Sequence, residues 1–148
     1  MYEEFYGFKE KPFLIVPDPD YLYPSPKHEE ALNLIQYGIM ENARLILLSG
    51  EIGSGKTTLV NYILRQIDPD IAVANIFNTN LTAEQLISFI VQEFGLETRE
   101  SDKAKNLRTL NDYLVDRYHQ QKRTLIVIDE AQNLPLDALE EIRMLTNL

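Results

Sequence analysis

Residues 50–57 read Gly-Glu-Ile-Gly-Ser-Gly-Lys-Thr, three glycines leading into an ammonium and a hydroxyl, and those residue types at that spacing suit one task, the grip of a polyphosphate. Glycines let the backbone curl until successive N–H groups point inward at anionic oxygens, and a helix starting near the lysine adds the positive end of its dipole. The spacing is that of the G-x-x-x-x-G-K-[ST] loop, the Walker A pattern. Gly50, Glu51, Ile52, Gly53, Ser54, Gly55 and Thr58 are therefore expected to form the cradle. Lys56 is expected to reach the β- and γ-phosphates, and Thr57 to offer its hydroxyl to Mg²⁺.

A second constellation lies downstream in Thr124-Leu125-Ile126-Val127-Ile128-Asp129-Glu130. An apolar strand that ends in carboxylates delivers them to the strand's C-terminal edge, where open α/β sheets bind ligands. Asp129 is expected to hold magnesium through its water shell and Glu130 to polarise an attacking water. Such an acidic pair by itself is usually a solvated loop or a helix cap; the glycine loop upstream is what favours catalysis. A GTPase would carry D-x-x-G at this strand and a later N-K-x-D, whereas Asp129-Glu130-Ala131-Gln132 has no glycine and no N-K-x-D occurs. ATP is the expected nucleotide.

The elements that must position these groups follow from periodicity. Pro12, Pro17, Pro19, Pro24 and Pro26 exclude a long helix from residues 1–27, which read as an extended, packed arm. Ala31, Leu32, Leu34, Ile35, Ile39 and Met40 recur at helical spacing between Pro26 and Asn42. Leu45–Leu48 reads as the strand that feeds the glycine loop, and Leu59, Val60, Ile63, Leu64 and Ile67 mark the helix after it, stopped by Asp68-Pro69-Asp70. A second strand is expected over 71–77. Thr82 and Gln85 spell a capping box before a helix ending near Gly95. Leu107, Leu110, Leu114, Val115 and Tyr118 mark a further helix, 124–129 a strand covered on both faces, and a last helix runs from about Leu136 to the end. Strands alternating with helices predict a parallel α/β sheet.

The totals bound the function. A chain of 148 residues holds one domain, 1–148, comprising a leader and first helix (1–43) and a core (44–148). A net charge of −9 opposes general binding to nucleic-acid backbones, which draws on Lys and Arg clusters. There is no cysteine, so disulfides and thiolate metal sites are excluded. The acidic, aromatic start MYEEFYGF lacks the features of an export signal, and a cytoplasmic location is expected.

GEIGSGKTT and IVIDEAQNL, together with the leader FYGFKEKPFLIVPDPDYLYPSPKHEEAL, resemble the N-terminal ATPase domain of the general secretion pathway protein A family, a branch of the AAA+ ATPases. The resemblance runs over essentially the whole chain, and the leader is its most specific part. It implies a P-loop NTPase fold with a three-layer parallel sheet. It implies Mg²⁺-dependent ATP hydrolysis by an oligomer on the cytoplasmic face of the bacterial inner membrane, serving assembly of secretion or pilus machinery. By the same resemblance Asn78, after the second strand, restrains the catalytic glutamate, while Tyr23, with Tyr21, Leu22 and the helix bearing His28, lies where an adenine pocket is built. Those aromatics also fit plain core positions, His28 an exposed helix site, and Phe5, Phe8 and Phe13 simple packing.

Relatives continue past the last helix with a sensor 1 strand, an arginine-finger region and a helical lid. The chain is accordingly expected to be the N-terminal part of such a domain, incomplete at its C-terminus, binding nucleotide weakly and turning it over little, with membrane association supplied elsewhere. The sensor 1 strand normally separates the two Walker strands, whose edges are expected to gape or to pair differently without it. Three rivals stand beside this reading. A helicase would need two lobes and a basic channel; a transposition-helper AAA+ ATPase shares both Walker motifs; a non-enzymatic, self-associating module needs neither.

Overall fold

In the computed structural model, which describes residues 5–8, 23–97 and 102–147, the chain divides into two units, Met1–Gln66 and Ile67–Leu148. Most of the proline-rich arm, with Phe13, Tyr21 and Leu22, lies outside the described residues.

In the first unit, helix α1 (Pro26–Met40) starts where the sequence puts a hydroxyl before a proline. Ser25 is the N-cap and its side chain accepts from the His28 amide, while Pro26 occupies a first-turn position at which no donor is needed. The helix closes through Asn42, at φ 54°, with Asn42 N–H on the Ile39 carbonyl and Ala43 N–H on that of Gly38. No residue of α1 is buried, and Leu34 and Met40 are 63% and 67% exposed. The helical period shows as a half-buried face of Ala31, Leu32, Ile35 and Ile39, none of them fully buried.

Helix α2 (Lys56–Gln66) follows the glycine loop and buries Leu59 and Ile63, four residues apart and so on one face. The strand expected at Leu45–Leu48 does not form: Leu45 and Leu47 are 72% and 83% exposed, and no described segment pairs with them. A strand exists only through a neighbour's hydrogen bonds, so an apolar run without a ladder partner stays irregular. Nor are Phe5 and Phe8 core residues. They lie exposed against Tyr6, at centroid separations of 4.9 and 5.9 Å.

The second unit holds the sheet. Strands β1 (Ala72–Ile76) and β2 (Thr124–Ile128) pair in parallel, Ala72 opposite Thr124 and Ile76 opposite Ile128. A parallel pair needs a long crossover, supplied by α3 (Ala83–Glu93) and α4 (Lys103–His119). After β2 come a 3₁₀ turn (Ala131–Asn133) and α5 (Leu136–Leu145).

Helix α3 is the centre of this core. Thr82 and Gln85 make both bonds of the capping box. At the other end Gly95, at φ 72°, lets its own N–H reach the Gln92 carbonyl and that of Leu96 reach Val91. Between these ends Leu86, Ile87, Ile90 and Val91 are fully buried, each contributing roughly 2 kcal/mol by removal from water. They pack with Ala74 and Ile76 of β1, Leu110 of α4, and Leu134 and Ala138 around the start of α5. The Arg117 guanidinium, near the end of α4, donates to the carbonyls of Asp70 (2.5 Å) and Arg123 (2.7 Å), just ahead of the two strands. Strand β2 is half-buried at every position rather than covered on both faces, since among the described residues only β1 flanks it.

Candidate functional site

The glycine loop begins directly after the unpaired run 45–48 and ends in α2. Gly53 and Gly55 sit at φ 80° and 83°, a region that costs an L-residue with a Cβ about 1–2 kcal/mol. Ser54 N–H bonds back to the Glu51 carbonyl at 3.2 Å, and Leu59 N–H to the Gly55 carbonyl at 2.9 Å, so the loop closes on itself and Gly55 opens the helix. Lys56 curls over the same loop: its Nζ donates to the carbonyls of Gly50 (2.9 Å) and Glu51 (2.8 Å). An ammonium has three donors, and these two bonds seat the charge above the loop rather than out in solvent. Thr57 and Thr58 occupy the first turn of α2, both half-buried. Ile52 is fully exposed at the loop's tip.

The loop is joined to α1 through His28. Its Nε2 lies 2.9 Å from the Ser54 carbonyl and its Nδ1 2.9 Å from Ser25 Oγ. Tyr23, two residues before that cap, is 83% exposed, and its carbonyl accepts from the Ser25 amide at 3.0 Å.

In the second unit the carboxylates stand where the strand pattern places them. Asp129 continues the ladder past β2, its N–H on the Ile76 carbonyl at 3.1 Å, and its Oδ1 accepts from the Glu130 amide at 2.9 Å. Glu130 is left-handed at φ 56°, ψ 35°. The other two non-glycine residues with positive φ among the described residues, Asn42 and Gln121, follow the ends of α1 and α4, where a left-handed residue is the ordinary way to close a helix. Glu130 sits instead between a strand and a 3₁₀ turn. Its Oε2 accepts from the side-chain Nε2–H of Gln132 at 2.6 Å.

Asn78 lies just past β1, exposed, and its side-chain oxygen accepts from the Asn80 amide at 3.1 Å. The group bonded to the Glu130 carboxylate is Gln132, which sequence reasoning passed over. An amide two residues beyond a strand-end glutamate was the available signal.

These donors suit a nucleotide with its metal. In the first unit the loop supplies left-handed glycines, an ammonium and, at Thr57, a hard hydroxyl oxygen; in the second, Asp129 supplies a carboxylate at a strand end. Among the described residues no three or more His, Asp or Glu side chains gather to cage a cation. Mg²⁺ prefers hard oxygen ligands and keeps much of its water, so a hydroxyl at the foot of the loop is a group that would fit Mg²⁺ carried by a polyphosphate.

The model of the AAA domain family matches residues 39–148, which include the glycine loop and the acidic strand end. The chain belongs to the AAA domain family. Its fold is accordingly the α/β P-loop NTPase fold, of which the parallel pair β1–β2 is a part. Among curated proteins, General secretion pathway protein A of Aeromonas hydrophila is 40% identical over 149 aligned residues, covering 100% of this chain and 27% of that protein. The chain thus spans about a quarter of the length of this relative. The likeness carried by the leader and the two motifs is borne out over the whole chain. No solved structure matches the chain significantly. Among the described residues of this AAA domain no helix is long and apolar enough to cross a membrane.

Proposed function

We propose that this AAA domain binds ATP with Mg²⁺ at the glycine loop and belongs to an oligomeric ATPase that serves bacterial secretion or pilus assembly. The observation that carries the nucleotide assignment is the loop itself: left-handed Gly53 and Gly55, with the Lys56 ammonium drawn over the loop by the carbonyls of Gly50 and Glu51. Residues 45–64 carry one acidic residue, Glu51, and one basic residue, Lys56, so the stretch is neutral where the whole chain carries −9, and the attraction for an anion rests on the loop amides and the Lys56 ammonium. The secretion context rests on the 40% identity to a protein of that name.

In this proposal the loop amides and Lys56 bind the phosphates. Thr57 of the first unit and Asp129 of the second are the residues that would serve the metal, which would supply neutralisation of phosphate charge. Glu130, its carboxylate steadied by Gln132, orients water and accepts its proton. An arginine from another subunit commonly supplies about 10³–10⁵ in rate in related NTPases, so turnover by these residues alone is slow. Isothermal titration of the protein with MgATP tests the reading: saturable heat that vanishes in Lys56→Ala is expected, and heat that is absent, or indifferent to Lys56, would defeat it.

A second reading is favoured by one observation, the apolar run with Leu45 and Leu47 exposed. An unpaired, exposed apolar segment offers itself to another chain, as a self-associating module would use it. Light scattering that shows concentration-dependent growth in the wild type, relieved by Leu47→Asp, with no nucleotide heat, would favour that reading.

A further inference from the structure

His28 is the one side chain of α1 seen to reach the glycine loop, and it does so from 26 residues away. The Ser54 carbonyl can only accept, so Nε2 carries the proton of that bond, while Nδ1 is paired with the Ser25 hydroxyl. Ser25 in turn accepts the His28 amide as the cap of α1. Both ring nitrogens are therefore committed, and the imidazole cannot rotate without losing a bond at each end.

The consequence lies in the peptide between Ser54 and Gly55. No peptide among the described residues is cis, and a planar trans peptide points its C=O and its N–H in opposite directions. Holding the Ser54 carbonyl toward the α1 N-terminus turns the Gly55 N–H away from it. Left alone this peptide would turn over readily, because glycine occupies both mirror halves of φ/ψ space at little cost and Gly55 lies at φ 83°. A cradle of amides works only while each N–H faces the anion.

We propose that His28, steered by Ser25, is a positioning residue for the phosphate loop: its Nε2–H fixes the Ser54–Gly55 peptide so that the Gly55 amide is presented to a nucleotide phosphate. This rests on the nucleotide reading given above and adds to it a specific device in the leader. The imidazole touches no phosphate itself, so its effect is on how well the loop binds.

The test compares wild type, His28→Phe, His28→Gln, Ser25→Ala and Lys56→Ala in the full-length protein, by titration with MgADP and by the ¹³C′ shift of Ser54. Phenylalanine keeps the ring's bulk without a donor, and a glutamine amide reaches about as far as Nε2. We expect His28→Phe to weaken MgADP binding about fivefold, the worth of one hydrogen bond, and His28→Gln to restore it to within about twofold. The Ser54 ¹³C′ resonance should move in His28→Phe and return in His28→Gln, with melting temperature unchanged across both. Loss of binding in Lys56→Ala with affinity equal in wild type and His28→Phe would overturn the positioning role and leave the nucleotide reading intact. A wild-type protein that does not bind MgADP, with the Ser54 resonance still dependent on His28, would overturn the nucleotide reading and this role with it. Equal losses in the Phe and Gln variants would reduce His28 to a packing residue.

Discussion

The two units carry their chemistry by different means. In the first, the glycine loop is shaped almost wholly by local events: positive φ at two glycines, a lysine bonded to carbonyls five and six residues back, and a turn from Ser54 to Glu51. The helix ahead of it has no buried residue. In the second, Asp129 and Glu130 hang from the end of a strand whose position depends on a packed core, with α3 buried along most of one side. The glycine loop takes its shape chiefly from local conformational chemistry, with one distant bond from His28, whereas a strand-end carboxylate is only as well placed as the sheet beneath it. Damage to the two regions should accordingly read out differently, as lost binding in one and as lost turnover or lost stability in the other.

The largest effect is expected at Glu130. Glu130→Gln should lower phosphate release about 10²–10⁴-fold, the usual worth of a general base, while MgATP affinity measured by titration stays at the wild-type value. An equal fall in affinity would mean that the carboxylate serves the grip and would erase the division of labour.

Core dependence comes next. Leu86→Ala, at a fully buried position of α3, should cost about 2–5 kcal/mol in urea unfolding, whereas Leu34→Ala on exposed α1 should stay within about 0.5 kcal/mol. Equal costs would show that α1 buries its apolar face after all. Gly55→Ala probes the other mechanism. Its added Cβ would meet only His28 Nε2, at 3.5 Å, so space is no obstacle; the left-handed backbone is, at about 1–2 kcal/mol. That loss should appear in MgATP affinity and leave the unfolding of the second unit unchanged. A smaller effect than at Leu86 is expected from Thr82→Ala, which removes a cap worth about 1 kcal/mol and should shift the melting of the second unit without touching nucleotide binding.

How far each region could be read from sequence follows the same line. The capping box of Thr82 and Gln85, the stop at Gly95 and the start of α1 at Ser25-Pro26 are legible because each is decided within a few residues. So is the loop from Gly50 to Thr57. The strands at 72–76 and 124–128 were visible as apolar runs, but so was 45–48, and apolar character alone does not separate it from them; pairing is decided by a distant neighbour. The exposed side of α1 was illegible for the same reason, since periodicity shows a face and not what covers it. His28 on the Ser54 carbonyl joins residues 26 apart, and the left-handed backbone of Glu130 leaves no compositional mark because a glutamate is not a residue chosen for positive φ.

The most direct test of the phosphate cradle watches its backbone. In ¹H–¹⁵N spectra of the labelled protein titrated with MgATP, the amides of Gly53, Ser54, Gly55 and Lys56 should move together and saturate, with Lys56→Ala abolishing the change. Amides in this loop that stay still at saturating MgATP, while resonances elsewhere respond, would contradict the assignment of the nucleotide to the glycine loop.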